Sequence, residues 1–174
     1  MTVWVALLRG VNVGGITVRS ADLRELFESE GHTGVRTVLA SGNVVFSSDR
    51  SAGSLKPAIE KALRERFGYD AWIVLVPRDA VRKAIDAFPF DASDASRQPW
   101  VIFGSDEAVL DELADAAASM DQAADPVARG RGVLYWNPVK GTTVDTAFAK
   151  LLGRKSFKAT TTNRNLRTLQ KIIG

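Results

Sequence analysis

The sequence contains no cysteine, which excludes disulfides, thiolate catalysis and cysteine-ligated zinc or iron–sulfur clusters. It contains one histidine, His32, so histidine-rich metal sites and paired catalytic imidazoles are excluded too. Any general base must be a carboxylate, a lysine, a tyrosine or that single ring. His32 follows Gly31 just past a helix end, a position expected of a surface turn residue. No apolar run approaches the roughly 20 residues that span a bilayer. The opening Met1-Thr2-Val3-Trp4 lacks the basic segment and small-residue cleavage site of a signal peptide. The expectation is a cytoplasmic protein with no membrane partner, no metal site and no cofactor.

What is present is ordinary for a soluble globular chain. Its 174 residues are 45% hydrophobic and 25% charged, enough for one large domain or two small ones, each with a core. The net charge of +3 is unevenly spread: residues 150–174 carry seven bases and no acid, leaving -4 on the rest. Between Asp86 and Asp125 lie ten carboxylates and a single base, Arg97. Such asymmetry fits an anionic partner near the C-terminal end, or contact between acidic and basic surfaces within the fold.

Hydrophobic periodicity orders the elements. Val3 to Leu8 is a near-continuous apolar run, the pattern of a central strand. Ser20 is placed to cap a helix with Leu23, Leu26 and Phe27 on one face and Gly31 beyond its end. Val35 to Leu39 and Val44 to Phe46 read as strands around Ser41-Gly42-Asn43, either a hairpin or one strand bent at Gly42. Ser54 is a plausible cap for a helix through Leu55, Ile59, Leu63 and Phe67, closed by Gly68. Ala71 to Val76 is the next strand. Asp79 to Phe88 reads as a short helix leading into a polar, proline-containing linker.

After the linker the pattern repeats. Trp100 to Phe103 is a strand and Asp106 to Met120 a helix. Pro126 to Arg129 and Val133 to Trp136 flank Gly130-Arg131-Gly132 as a hairpin. Val144, Phe148, Leu151 and Leu152 mark a helix ended by Gly153. Phe157 to Thr161 reads as a short extended stretch, and Asn163 as the cap of a final helix through Leu166, Leu169, Ile172 and Ile173. The reading is α+β: two tandem ferredoxin-like (split βαβ) repeats with antiparallel sheets and a terminal helix. Residues 1–77 form one repeat, 78–99 a helix and linker, and 100–174 the second repeat with its C-terminal helix.

Three stretches carry candidate chemistry. Arg9-Gly10-Val11-Asn12-Val13-Gly14-Gly15 is a glycine-rich loop leaving the first strand. It is no P-loop, because Ile16 stands where the lysine must be, and its glycines miss the dinucleotide spacing. Gly10, Gly14 and Gly15 can still turn backbone N–H groups toward a common anion, with Arg9 and Asn12 adding polar heads. The second stretch supplies Ser41 and Asn43 from the same sheet. The third places Arg164 and Asn165 in a helix first turn, followed by Thr168 and Lys171 at helical spacing. The four tryptophans all fall in strands, where core is the expected role rather than base stacking.

These three patterns, from Ala6 to Gly15, from Ser41 to Phe46 and around Arg164-Asn165, resemble the bacterial family catalogued as domain of unknown function 1697. The resemblance extends over nearly the whole chain and implies an α+β fold of ferredoxin-like repeats, with no established reaction. The chain departs from that family at Ile16, where a polar or basic residue is common, and at Leu166, where a tryptophan is common.

The leading expectation is a binding protein for an anionic ligand, with nucleic acid first. A phosphorylated or carboxylated metabolite acted on by an enzyme is the second reading, and a module pairing through an exposed sheet edge is the third. The aromatic strand motifs of RNA-recognition modules are absent. The sequence leaves the oligomeric state open.

Overall fold

The protein is described from a computed structural model, which covers residues 1–12 and 15–174. It is α+β, with two four-stranded antiparallel sheets. The chain divides into two compact units, one of residues 1–82 with 170–174 and the other of residues 83–169.

The first unit runs β1 (Thr2–Arg9), α1 (Ser20–Ser29), β2 (Thr33–Thr37), β3 (Asn43–Ser48), α2 (Ala52–Phe67) and β4 (Trp72–Pro77), and contains the start of α3 (Arg78–Asp86). Its sheet order is β2-β3-β1-β4. The apolar run of β1 is therefore interior, paired with β3 on one side and β4 on the other. Trp4, Ala6 and Leu8 pack into one core with Leu23, Phe27, Phe46, Leu55, Leu63 and Ile73, while Val5 and Leu7 are also buried. Burying one such Leu or Phe side chain contributes about 1.5–3 kcal/mol.

Caps fix the helices, though not always where the sequence placed them. Ser51 rather than Ser54 caps α2, its hydroxyl accepting from the Ser54 N–H, and Gly68 ends that helix at φ +67°. Arg19 occupies the cap of α1 without a side-chain bond, and Ser20 is its first helical residue.

The outer edge of β4 is covered by α2. Ile73 N donates to Glu60 Oε2 (3.0 Å), and Lys56 Nζ donates to Ile73 O (2.9 Å) and to Glu60 (2.7 Å). With Pro77 lacking an N–H, that edge offers few free ladder groups to an incoming strand. On β2, the Arg36 guanidinium donates to the carbonyls of Lys171 (3.4 Å), Ile172 (2.5 Å) and Gly174 (3.5 Å). It thereby satisfies acceptors that a helix C-terminus leaves open.

The second unit holds the end of α3, then β5 (Trp100–Gly104), α4 (Glu107–Ala117), β6 (Val127–Arg129), β7 (Leu134–Trp136), α5 (Ala147–Leu152), α6 (Lys155–Lys158) and β8 (Thr161–Asn165). The final helix α7 (Leu166–Ile173) begins in this unit. Sheet order is β6-β7-β5-β8, the same relative order as in the first unit. Asp125, 2% exposed, organises this core by accepting from Trp136 Nε1 (3.0 Å) and from the Phe148 N–H (3.2 Å). On the opposite face of the sheet, Tyr135 donates to the Ala84 carbonyl (2.7 Å) and packs edge-on against Phe88.

Three expectations are corrected. His32 is not a surface residue: it is 6% exposed, its ring 4.6 Å from that of Phe46 and 5.9 Å from that of Phe27. Burial first, and the nearby Arg50 second, hold its pKa below the usual value against a smaller opposing effect of Glu30. Val144 is 77% exposed, and its helix starts at Ala147 because Thr146 caps it by accepting from the Ala149 N–H. Phe157 lies in α6 rather than in an extended stretch, and Asn163, Arg164 and Asn165, expected as the cap and first turn of the final helix, belong to a strand of residues 161–165.

Candidate functional site

In the first unit the glycine-rich loop and the Ser41-Gly42-Asn43 turn meet at one end of the sheet. The antiparallel register puts Leu7 opposite Asn43, and Leu8 N donates to Gly42 O (2.8 Å). Gly10 (φ +77°) and Asn12 (φ +57°) then turn the chain, with Val11 buried between them. Asparagine is among the few side chains that tolerate this region.

The Asn12 amide ties the two loops together, donating from Nδ2 to Ala40 O (2.6 Å) and accepting the Val18 N–H at Oδ1 (3.0 Å). Asn43 is fully buried and donates to Val38 O (2.7 Å) and Ser41 Oγ (2.8 Å), closing its own turn. Gly42 sits at φ +84°, and a Cβ there would lie 2.6 Å from Val11 Cγ2. Both asparagines thus hold shape. Arg9 is half-buried, Gly10, Gly15 and Ser41 are exposed, and Gly14 lies outside the described residues. Leu39, in the same turn, is 47% exposed at φ +61°.

The third stretch is divided between the units. Arg164, Asn165 and Thr168 belong to the second unit, and Lys171 to the segment grouped with the first. Arg164 and Asn165 stand on β8, not in a helix first turn, because residues 161–165 pair with all five residues of β5. Arg164 is 5% exposed and donates to Thr162 Oγ1 (2.7 Å) and Asn163 O (2.9 Å). Burial lowers its pKa to about 10, so it remains a cation at neutral pH. Asn165 accepts the Arg167 N–H at Oδ1 (3.0 Å) and caps α7. Thr168 is half-buried and Lys171 exposed.

Other bases face solvent. Lys150, Arg154, Lys155, Lys158 and Arg167 of the second unit are exposed. Among the described residues their side chains have neither hydrogen bond nor ion pair. The acids of α4 are engaged by a different base: Arg129 bonds Glu107 and, at 3.1 Å, Asp111. The signal available was the absence of any acid after Asp145. Among the described residues no group of three or more His, Asp or Glu is placed to hold a metal ion. No helix of those residues is long and apolar enough to cross a membrane.

These features define an α+β protein in which a glycine-turned strand end is locked to a Ser-Gly-Asn turn beside the sheet, with exposed bases on a second unit. The chain belongs to the family described as protein of unknown function (DUF1697), whose match covers residues 1–135. That span includes both loops of the first unit and ends before β8. The chain is similar to the conserved bacterial protein SP0830 from Streptococcus pneumoniae, with TM-score 0.84 and 24% identity over 99% of this chain and 97% of that one. At that identity the likeness speaks for the fold. No curated protein matches.

Proposed function

We infer that each unit is a ferredoxin-like split βαβ repeat and that the protein binds a polyanion in the cytoplasm, with nucleic acid the first candidate. The repeat reading is supported by the common order strand, helix, two strands, helix, strand and by the shared sheet order. The binding reading is carried by one observation: Lys150, Arg154, Lys155 and Lys158 cluster along nine residues, all exposed and none neutralised among the described residues. Like charges so close repel one another, and a phosphate backbone relieves that repulsion while releasing its own counterions. The exposed backbone at Gly10 and Gly15 is a second, uncharged place for an anion to approach in the first unit. Ferredoxin-like sheets that bind RNA offer an analogy of fold only.

A fluorescence-polarisation titration of labelled single-stranded RNA and DNA against salt tests the reading. Four phosphate contacts give a log–log salt slope of about -3 on a single strand. Replacing the four bases by glutamine flattens that slope. Absence of binding at low salt, or binding indifferent to salt, overturns it.

A further inference from the structure

We propose that the cleft at the β1–β4–α3 junction of the first unit is a phosphate-binding site, with Arg78 and Arg82 as its ligating side chains. The cleft has a volume of about 180 Å³ and is lined by Thr2, Val3, Pro77, Arg78, Asp79 and Arg82. Its lining residues are different ones from the bases assigned above to polyanion binding, and it stands whether or not that reading holds.

The register explains why a cleft exists. Trp4 is the first β1 residue with a partner on β4, opposite Pro77, whereas on the other side β1 is paired from Thr2 onward. At Arg78 the chain leaves the sheet for α3, so β1 outruns its neighbour by two residues. Successive strand residues direct their N–H and C=O groups to opposite sides. One of Thr2 and Val3 therefore presents backbone polar groups toward the vacated side.

The charges explain what the cleft fits. Arg78 and Arg82 are one helical turn apart and share a face. Neither has a hydrogen bond or ion pair among the described residues, in contrast to Arg129, Arg97 and Arg36, whose guanidiniums are all engaged. Two adjacent guanidiniums against the one carboxylate of Asp79 leave the lining net positive. Guanidinium forks match the oxygens of phosphate in paired hydrogen bonds, and the Thr2 hydroxyl adds a donor. The volume is below the roughly 300–1,000 Å³ of drug-sized sites, which suits a single phosphate, free or as the end of a phosphomonoester.

The test is an amide and arginine side-chain NMR titration of the full chain with inorganic phosphate, methyl phosphate and, at matched ionic strength, sodium chloride. Saturable shifts centred on Thr2, Val3, Arg78, Arg82 and the two guanidinium Nε–H groups are expected with phosphate and not with chloride. Stronger binding of methyl phosphate identifies an esterified ligand, and stronger binding of inorganic phosphate a free one. Arg82→Gln weakens binding about tenfold, as loss of one charge-assisted pair implies, and Arg78→Gln with Arg82→Gln abolishes saturation while the remaining spectrum stays unchanged. Shifts that merely track ionic strength, or a double variant that still saturates like the parent, overturn the site.

Discussion

Gly42→Ala is the sharpest perturbation of the loop junction. At φ +84° an L-alanine costs about 1–2 kcal/mol from its own backbone. Its methyl would also stand 2.6 Å from Val11 Cγ2 and 2.9 Å from Leu8 Cβ, far inside the ~3.5–4.0 Å of carbon contacts. Relieving that overlap moves Val11 or the end of β1, and overpacking of this kind costs about 1–3 kcal/mol. The total is about 2–5 kcal/mol. Gly10→Ala and Gly15→Ala are the controls: both glycines have positive φ, +77° and +87°, but nothing lies within 4 Å of the added carbon. They carry only the backbone cost.

Urea denaturation of the three variants separates the two contributions. Gly42→Ala should fall below either control by about 1–3 kcal/mol, the packing share. Adding Val11→Ala removes one of the two clashing groups, so the double variant should be more stable than the sum of the single changes implies. If Gly42→Ala is as mild as Gly10→Ala, or if the double variant is strictly additive, then the two loops are not interlocked as described.

Two further outcomes test the cores. Asp125→Ala leaves both Trp136 Nε1 and the Phe148 N–H without an acceptor, so, at about 1–3 kcal/mol for each buried donor, unfolding should become easier by about 2–6 kcal/mol; a change below about 1 kcal/mol, read from the urea midpoint, contradicts the role. His32 is a base with a lowered folded pKa, so the unfolded chain binds the extra proton: stability is full above about 6.5, declines as pH falls below it, and levels off under the folded value. Urea midpoints between about pH 5 and 7 should show that decline in the parent and not in His32→Phe, and a variant with the same slope refutes it.

The contrast between what could and could not be read from the sequence follows from where each signal originates. The β1 run, the hairpin around Gly42 and the Gly68 helix stop are local: periodicity and positive-φ demand write them into a few adjacent residues. The strand at residues 161–165 is not local. Its Thr-Thr-Asn-Arg-Asn sequence suits a cap as well as a strand, and only pairing with β5 decides. The same holds for His32, whose turn-like neighbours gave no hint that Phe27 and Phe46 enclose its ring. From the sequence Arg164 reads as an anion-binding residue of a helix first turn, because charge is visible in a sequence and burial of an arginine is not. Arg78 and Arg82 do not stand out in the sequence because their interest lies in having no hydrogen bond or ion pair among the described residues, a property of the folded chain alone.

The motifs that make the family legible are therefore devoted to geometry. Asn12 places both ends of its amide on backbone groups of neighbouring segments, and Asn43 bonds Val38 and Ser41 of its own turn. Leu39 bears on the same point. A leucine at φ +61° costs about 1–2 kcal/mol, yet this one is 47% exposed, so it does not recover that cost by burying its whole side chain. Its turn is held by Val38 N donating to Asn43 O (2.9 Å) and by the Asn12 bond to Ala40 O. The strain is sustained by the same asparagines that define the motif, and its result is an apolar side chain held exposed in the turn that carries Ser41.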